Sequence, residues 1–185
     1  MSTLALFPDE RPDLINTTDA QNTPADLCAD LGEFDLDVAS NPRSLIRAAR
    51  HYCLENGDDG LALPWAGRVW CNGPYSNPLP WCERLAAHDG PWAALWKVDP
   101  TTRWWAVLMG TADGVALFRQ RLAFVAPGNV GAANFPSVLF WGGGWRCPDA
   151  VAARCWPATD LRPTFSISLP ECRVTKASGP EVGAL

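Results

Sequence analysis

The stretch Arg68-Val69-Trp70-Cys71-Asn72-Gly73-Pro74-Tyr75 joins a short apolar run to a turn. Residues 68–71 predict a buried strand, and the Asn, Gly and Pro residues of 72–78 predict the turn that leaves it. Open α/β sheets bind their ligands at the carboxyl ends of the strands. The residues of this turn are therefore the first candidates for a functional site, although a plain surface turn has a similar composition.

Strands and helices alternate on both sides of this turn. The patterns predict a helix with Thr23 as N-cap and Pro24 as its first residue, ending near Leu31; a strand end at 34–38; helices at 42–56 and 81–87; strands at 92–98 and 114–118; and a closing antiparallel pair, 122–125 with 138–141. This alternation indicates an α/β fold with a largely parallel sheet. Residues 1–22 are predicted to form a flexible arm, 23–170 the domain and 171–185 a tail.

Composition restricts the class of protein. The chain has 185 residues, of which 48% are hydrophobic, and this suits one domain with a substantial core. Its formal net charge of −5 argues against a non-specific nucleic-acid binder. Seven cysteines without Cys-x-x-Cys spacing argue against a disulfide framework and a zinc site, so we expect reduced thiols, a cytoplasmic location and no bound metal. We expect neither a signal peptide nor a membrane span, and the two histidines, His51 and His88, show no sequence partner.

Six short motifs follow one another along the chain. They are Thr23-Pro24, Phe34-Asp35-Leu36-Asp37-Val38-Ala39, Asp59-Gly60-Leu61 with Trp65, Val69 to Ser76, Trp104-Trp105, and Arg121-Leu122-Ala123-Phe124. In this order the chain resembles the phage-type DNA N6-adenine methyltransferase family, sometimes labelled Dam-like. The resemblance covers about residues 21 to 141, roughly two-thirds of the chain, and six motifs in order are more specific than any one of them.

The resemblance implies a reduced Rossmann-like fold, dependent on S-adenosylmethionine, with a mostly parallel sheet and a C-terminal antiparallel hairpin. It also implies that the partner is DNA, modified in the cytoplasm of a bacterial host, with evasion of restriction as a role. The oligomeric state stays open.

The turn at Asn72 suits transfer of a methyl group to the exocyclic amine of adenine. The side-chain oxygen of Asn72 and the carbonyl of Gly73 can accept the two N–H groups of that amine, which localises its lone pair. Pro74 stiffens the turn and removes a competing donor. Tyr75 supplies a flat face for a base flipped out of the duplex. Catalysis of this kind rests on positioning, without a metal or a covalent nucleophile.

The resemblance assigns further residues to the cofactor and to DNA. Thr23 and Pro24 would lie against the methionine end of the cofactor. Asp37, together with Asp35, would lie near its amino group or ribose, and Ala39 completes this set; alternatively the two acids are solvated strand-end residues. Arg119 and Arg121 would face DNA, or they are ordinary surface arginines.

Three departures from the family pattern leave two other functions open. Gly73 stands where the family usually has proline, no Gly-x-Gly follows Asp37, and Asn72 comes only 35 residues after Asp37. One alternative is a non-catalytic binding or inhibitory protein that has lost the cofactor. The other is an enzyme that acts on adenine in a nucleotide or in RNA.

Overall fold

A computed structural model of the chain describes residues 22–126, 129–156 and 159–160. Its elements, in chain order, are α1 Ala25–Leu31, β1 Glu33–Ser40, β2 Arg47–Cys53, a 3₁₀ turn Leu54–Asn56, β3 Val69–Cys71, α2 Leu79–Ala86, β4 Trp92–Lys97, α3 Arg103–Thr111, β5 Gly114–Leu117, β6 Ala123–Ala126, β7 Asn129–Ala132, β8 Ser137–Gly142, α4 Asp149–Ala152 and β9 Thr159–Asp160. The predicted tail and all of the predicted arm except Asn22 lie outside the described residues.

The main sheet has seven strands in the order β2-β1-β3-β4-β8-β5-β9. The first four are parallel neighbours, and β5 runs in the same direction because β4 and β5 both pair antiparallel with β8. Five of the seven strands therefore point the same way, which confirms the predicted mixed α/β architecture with a mostly parallel sheet.

The helix predicted at 42–56 is wrong. Residues 41–46 cross from β1 to β2 without a helix, and the parallel pairing of β2 with β1 determines the conformation of Arg47–Cys53. The apolar residues of this stretch have helical spacing, which accounts for the wrong prediction. In the structure Ile46 lies in the crossover and Tyr52 in β2, and both side chains are buried. A crossover between parallel strands normally needs a dozen or more residues, so this one is unusually short.

The predicted pairing of 122–125 with 138–141 is also wrong. β6 pairs with β7, from which it is separated by two residues, and these strands form a second, two-stranded sheet. β8 lies between β4 and β5, where its almost continuously buried side chains suit a central strand. The C-terminal hairpin expected from the sequence is thus replaced by a local hairpin and a central antiparallel strand.

Helices cover both faces of the sheet. On one face α1 and α4 contact each other over a core that includes Leu27, Trp70 and Leu139. On the other face α2 and α3 pack together over Cys71, Trp96 and other buried side chains. Among the described residues, no helix combines the length and the apolar character that a membrane crossing requires.

The loop of residues 57–67 packs against the carboxyl end of β1. The guanidinium of Arg84 donates hydrogen bonds to the carbonyls of Gly60, Leu61 and Leu63, and the indole of Trp65 donates to Gly60 at 2.8 Å. Gly60 lies so close to β1 that a Cβ built on it would be 1.9 Å from the carbonyl oxygen of Val38. The glycine of the Asp-Gly-Leu motif is therefore a requirement of packing.

We expect Gly60→Ala to lower the free energy of unfolding by about 1–3 kcal/mol, because the added methyl group meets backbone that must shift. Urea unfolding measures this change. Gly110→Ala is the matched control: Gly110 lies in α3, a Cβ there has no neighbour within 4 Å, and alanine should raise stability by about 0.5–1 kcal/mol. Equal effects of the two substitutions would contradict the packing described for Gly60.

Candidate active site

The order of the strands reverses between β1 and β3. The chain leaves β1 for its outer neighbour β2 and then returns to β3 on the other side of β1. Such a switch point opens a crevice at the carboxyl ends of the strands. Asp37 of β1 is the Cα partner of Trp70, two residues before Asn72, so both candidate side chains belong to this edge of the sheet.

Asn72 is tied to the segment that precedes α1. Its amide nitrogen donates to the hydroxyl oxygen of Thr23 at 3.2 Å, and Thr23 is buried. This bond uses the nitrogen of the amide, and the oxygen accepts no hydrogen bond from the residues that the structure describes, so its lone pairs are open to an incoming donor. Thr23 is not the N-cap that the sequence predicted: the cap is Pro24, no side chain caps the helix, and α1 begins at Ala25.

Gly73 lies under two tryptophan rings. A Cβ built on it would be 3.1 Å from ring atoms of both Trp81 and Trp96. The space beside the backbone at this position is thus filled by indole rings. Proline, the residue usual at this place in the family that the sequence resembles, would need both rings to move.

Tyr75 points its ring inward. The ring centroid lies 5.7 Å from that of Trp96, 5.4 Å from Phe135 and 6.4 Å from Phe124, in tilted and edge-on arrangements. The hydroxyl is buried and has no hydrogen-bond partner among the residues that the structure describes. Burial raises the pKa of the Tyr75 hydroxyl far above its ordinary value. The ring expected to stack on a base is therefore partly buried among three other aromatic side chains in this conformation.

Asp37 is the centre of a small polar network. Its carboxylate is almost completely buried and accepts a hydrogen bond from the hydroxyl of Ser44 at 2.9 Å and, weakly, from the amide of Ala39 at 3.4 Å. The Nδ1 atom of His51 lies 3.4 Å from the same carboxylate and 3.0 Å from the hydroxyl of Ser40. The carboxylate of Asp37 raises the pKa of His51 above its ordinary value.

His51 and Ser44 were missed by the sequence interpretation. His51 is the Cα partner of Asp37 in the parallel pairing of β1 and β2. That register was invisible because residues 42–56 were predicted to be a helix. The sequence signal that could have identified these two residues is the spacing of polar residues between apolar ones.

The two-stranded sheet reaches the same edge through Asn22. The backbone of Asn22 exchanges hydrogen bonds with Val125 of β6, at 2.9 and 3.1 Å. Its side-chain oxygen accepts from the amide of Asn41 at 2.7 Å, at the start of the crossover. The segment before α1, the crossover and β6 are thereby connected beside Asp37 and Asn72.

Other predicted residues lie elsewhere or are already engaged. Asp35 is exposed and accepts the backbone N–H of Arg68 at 2.6 Å, before β3 begins and away from its carboxyl end. The guanidinium of Arg119 donates a hydrogen bond to the carbonyl of Ala153, which follows α4. This side chain, expected to face DNA, is therefore already engaged within the protein. Arg121 is exposed. Pro24 is buried beside Thr23, and Ala39 is half-buried near the end of β1.

An open cavity of about 380 Å³ lies at the opposite, amino-terminal edge of the sheet. It is lined by Glu33, Phe34, Asp35, Arg47, Ala48, Ala49 and Arg68. The guanidiniums of Arg47 and Arg68 donate hydrogen bonds to the backbone carbonyls of Ala29 and Glu33, respectively. This cavity is therefore separate from the cluster around Asp37 and Asn72. Within the described part of the chain, no group of three His, Cys, Asp or Glu side chains is placed to hold a metal ion.

Comparison with known proteins identifies a family. The model of a family described as DNA N-6-adenine-methyltransferase (Dam) matches residues 7–153, which is well over half of the chain. No curated protein and no solved structure matches the chain. The matched region includes Asp37, Asn72 and the segment that carries Thr23.

The contact between His51 and Asp37 predicts a dependence of stability on pH. A histidine whose pKa is raised on folding stabilises the protein below the unfolded value of about 6.5, and this stabilisation is lost as the pH rises through the folded value. The difference in free energy of unfolding between wild type and His51→Gln should therefore be larger at pH 5 than at pH 9. Asp37→Asn should lower the pKa of His51 in an NMR titration. The pairing would be ruled out if the difference in free energy of unfolding grew with pH, or if Asp37→Asn left the pKa of His51 unchanged.

Proposed function

The chain belongs to the DNA N-6-adenine-methyltransferase (Dam) family, and from this membership we propose that it transfers a methyl group from S-adenosylmethionine to the N6 amine of an adenine flipped out of DNA. The observation that carries the proposal is the meeting of Asn72, Thr23 and Asp37 at the switch point of the sheet. This is the edge where open α/β sheets bind ligands.

The strand order supports a reduced Rossmann-like fold. β2, β1, β3 and β4 form a parallel set with a reversal between β1 and β3, as in nucleotide-binding sheets. The helix that normally follows the first strand is replaced by the crossover of residues 41–46. The cofactor site therefore lacks a helix N-terminus at this place, and side chains of the crossover and of β1 take its role.

The donor and acceptor groups at the end of β1 fit S-adenosylmethionine. The buried carboxylate of Asp37 can accept from the cationic amino group or from the ribose, since its two oxygens keep lone pairs beyond the bonds to Ser44 and Ala39 and the contact with His51. Thr23 and Pro24 lie beside Asn72 and would contact the methionine end. Glu55 follows β2 and offers a second carboxylate, at the position where related sheets bind ribose hydroxyls.

The chain's own groups then position the reacting amine. The side-chain oxygen of Asn72 and the carbonyl of Gly73 accept the two N–H groups, so the lone pair of N6 points at the methyl group. When bound, S-adenosylmethionine would supply an electrophilic methyl group on a sulfonium: its C–S bond would break with the electron pair going to sulfur, and the methylated nitrogen would lose one proton to water. Pro74 restricts the turn, and Tyr75 supplies the stacking surface once it is uncovered.

The biological setting is part of the proposal. The order of the six motifs resembles the phage-type members, so we assign the enzyme to DNA modification in a bacterial host cytoplasm, where it would shield DNA from restriction. Arg121, exposed just before β6, is the remaining predicted contact to DNA phosphate.

A second candidate is a non-catalytic relative that binds DNA or another partner. The short crossover and the partly buried ring of Tyr75 favour it, since both reduce the space that an ordinary methyltransferase site offers. Binding of the cofactor separates the two candidates.

Isothermal titration calorimetry should detect binding of S-adenosylmethionine to the wild type. Asp37→Asn should weaken the affinity by about 10- to 100-fold, because it removes a charged hydrogen-bond acceptor. Asp35→Asn is the matched control, an equal change two residues earlier on the same strand, and should leave the affinity nearly unchanged. The absence of binding at millimolar cofactor would favour the non-catalytic relative. Equal losses for both variants would place the cofactor elsewhere on β1.

Transfer of a tritiated methyl group to adenine-containing DNA should depend on Asn72. Asn72→Ala should reduce turnover by about 10²- to 10³-fold, the effect of losing one fixed group that acts on the reacting centre, with affinity for S-adenosylmethionine nearly unchanged. Asn77→Ala, in the exposed part of the same turn, is the control and should retain activity. DNA without adenine measures the background. Equal incorporation by wild type and Asn72→Ala would show that the active site lies elsewhere.

A further inference from the structure

Three buried polar side-chain atoms lack a hydrogen-bond partner among the described residues: the Tyr75 hydroxyl, the indole nitrogen of Trp96 and the Ser137 hydroxyl. They belong to one edge of the sheet. Trp96 is the penultimate residue of β4. Ser137 is the first residue of β8 and pairs with Lys97, the last residue of β4. Tyr75 follows β3 and contacts Trp96. Buried polar groups are nearly always paired, so a cluster of unpaired ones beside a candidate active site needs an explanation.

The ring of Tyr75 closes an aromatic cage, by which we mean Trp96, Phe124 and Phe135. It contacts all three rings, and Phe124 and Phe135 also contact each other at 6.0 Å. Trp96 has no exposed surface. The cage therefore already holds one flat ring, and that ring belongs to the residue expected to stack on the target base.

We propose that the aromatic cage is the pocket for the target adenine, that Tyr75 fills it before DNA binds, and that the indole N–H of Trp96 donates to a ring nitrogen of the base. The proposal rests on the function proposed above and names the residue that recognises the ring. When the base enters, the ring of Tyr75 leaves the cage and stacks on it from outside.

The unpaired atoms favour this exchange. With Tyr75 in the cage, its hydroxyl and the indole N–H of Trp96 are both removed from water without a partner, which is unfavourable. When adenine replaces Tyr75, the hydroxyl reaches solvent and the N–H gains an acceptor. Gly73 helps because the turn beside Trp96 carries no Cβ there, so the backbone can rotate without a side chain meeting the indole.

Two groups of the base are then recognised from different sides. Asn72 and Gly73 hold the exocyclic amine, and Trp96 holds N1, N3 or N7, the ring atoms of adenine that accept a hydrogen bond. A base that lacks an acceptor at the required place leaves the indole N–H buried and unpaired. Selectivity for adenine should therefore depend on a residue outside the Asn-Gly-Pro-Tyr turn.

The test combines Trp96→Phe with bases altered at single atoms. Oligonucleotides carry one target base: adenine, or its 1-deaza, 3-deaza or 7-deaza analogue, each of which replaces one ring nitrogen by C–H. We measure kcat/KM for methyl transfer and, separately, oligonucleotide affinity by fluorescence anisotropy. Trp96→Phe should lower kcat/KM and affinity for adenine by about 10-fold, and wild type should lose a similar factor on one analogue. On that analogue the variant should show no further loss.

Trp92→Phe is the matched control. Trp92 is a buried tryptophan at the amino end of the same strand, so the substitution removes an indole N–H at the opposite edge of the sheet. Its effect should be the same on all four bases. If Trp96→Phe behaves in the same way, or changes nothing, the proposal is overturned.

The anisotropy measurement separates this proposal from the proposed function. If wild type binds the oligonucleotides with the predicted dependence on Trp96 but transfers no methyl group, the proposed catalysis fails and the base pocket stands. If methyl transfer occurs without that dependence, the pocket fails and the catalysis stands.

Tyr75→Phe tests the exchange without altering Trp96. It removes the unpaired hydroxyl from the closed cage, so it should raise Tm and lower oligonucleotide affinity. A lower Tm, or an unchanged Tm with unchanged affinity, would overturn the proposal that Tyr75 closes the cage.

Discussion

The parallel pairing of β1 with β3 determines where the candidate functional groups of this protein lie. It aligns Asp37 with Trp70 and so brings the end of β1 beside the turn that begins at Asn72. Two further contacts complete the candidate site. Thr23, in the segment before α1, accepts a hydrogen bond from Asn72, and His51 of β2 contacts the carboxylate of Asp37. Groups that are separated by up to 49 residues in the chain thus come together at one edge of the sheet.

The candidate site is shaped with little secondary structure besides the strands of the main sheet. Where a larger nucleotide-binding sheet places a helix after its first strand, this chain has a six-residue crossover, held by Asn41 and Ser44 through side-chain hydrogen bonds. The loop of residues 57–67 covers the same edge, fixed by Arg84 and by the close approach of Gly60 to β1. Individual polar side chains and one glycine therefore replace secondary structure in shaping the site. The aromatic residues beside them supply the apolar surroundings in which such hydrogen bonds are strongest.

The sequence predicted the features that depend on local pattern. The strands at β1, β3, β4 and β5, the position of Asn72 after a strand and the family were all found, because apolar runs and ordered motifs lie within short windows. Three features depend on contacts between distant segments and were missed or predicted wrongly: β2 appeared helical, β8 was paired with β6, and His51 had no visible partner. The relation of Gly73 to Trp96 is of the same kind, since the indole that fills the space beside Gly73 comes from a strand 23 residues later.

The proposed function requires one edge of the sheet to hold the methyl donor and the target base together. A crystal structure with S-adenosylhomocysteine, the product of the proposed reaction, would test this arrangement. We expect the product to lie between Thr23 and Asp37 with its sulfur facing Asn72. Binding in the cavity between Arg47 and Arg68, at the opposite edge of the sheet, would contradict it.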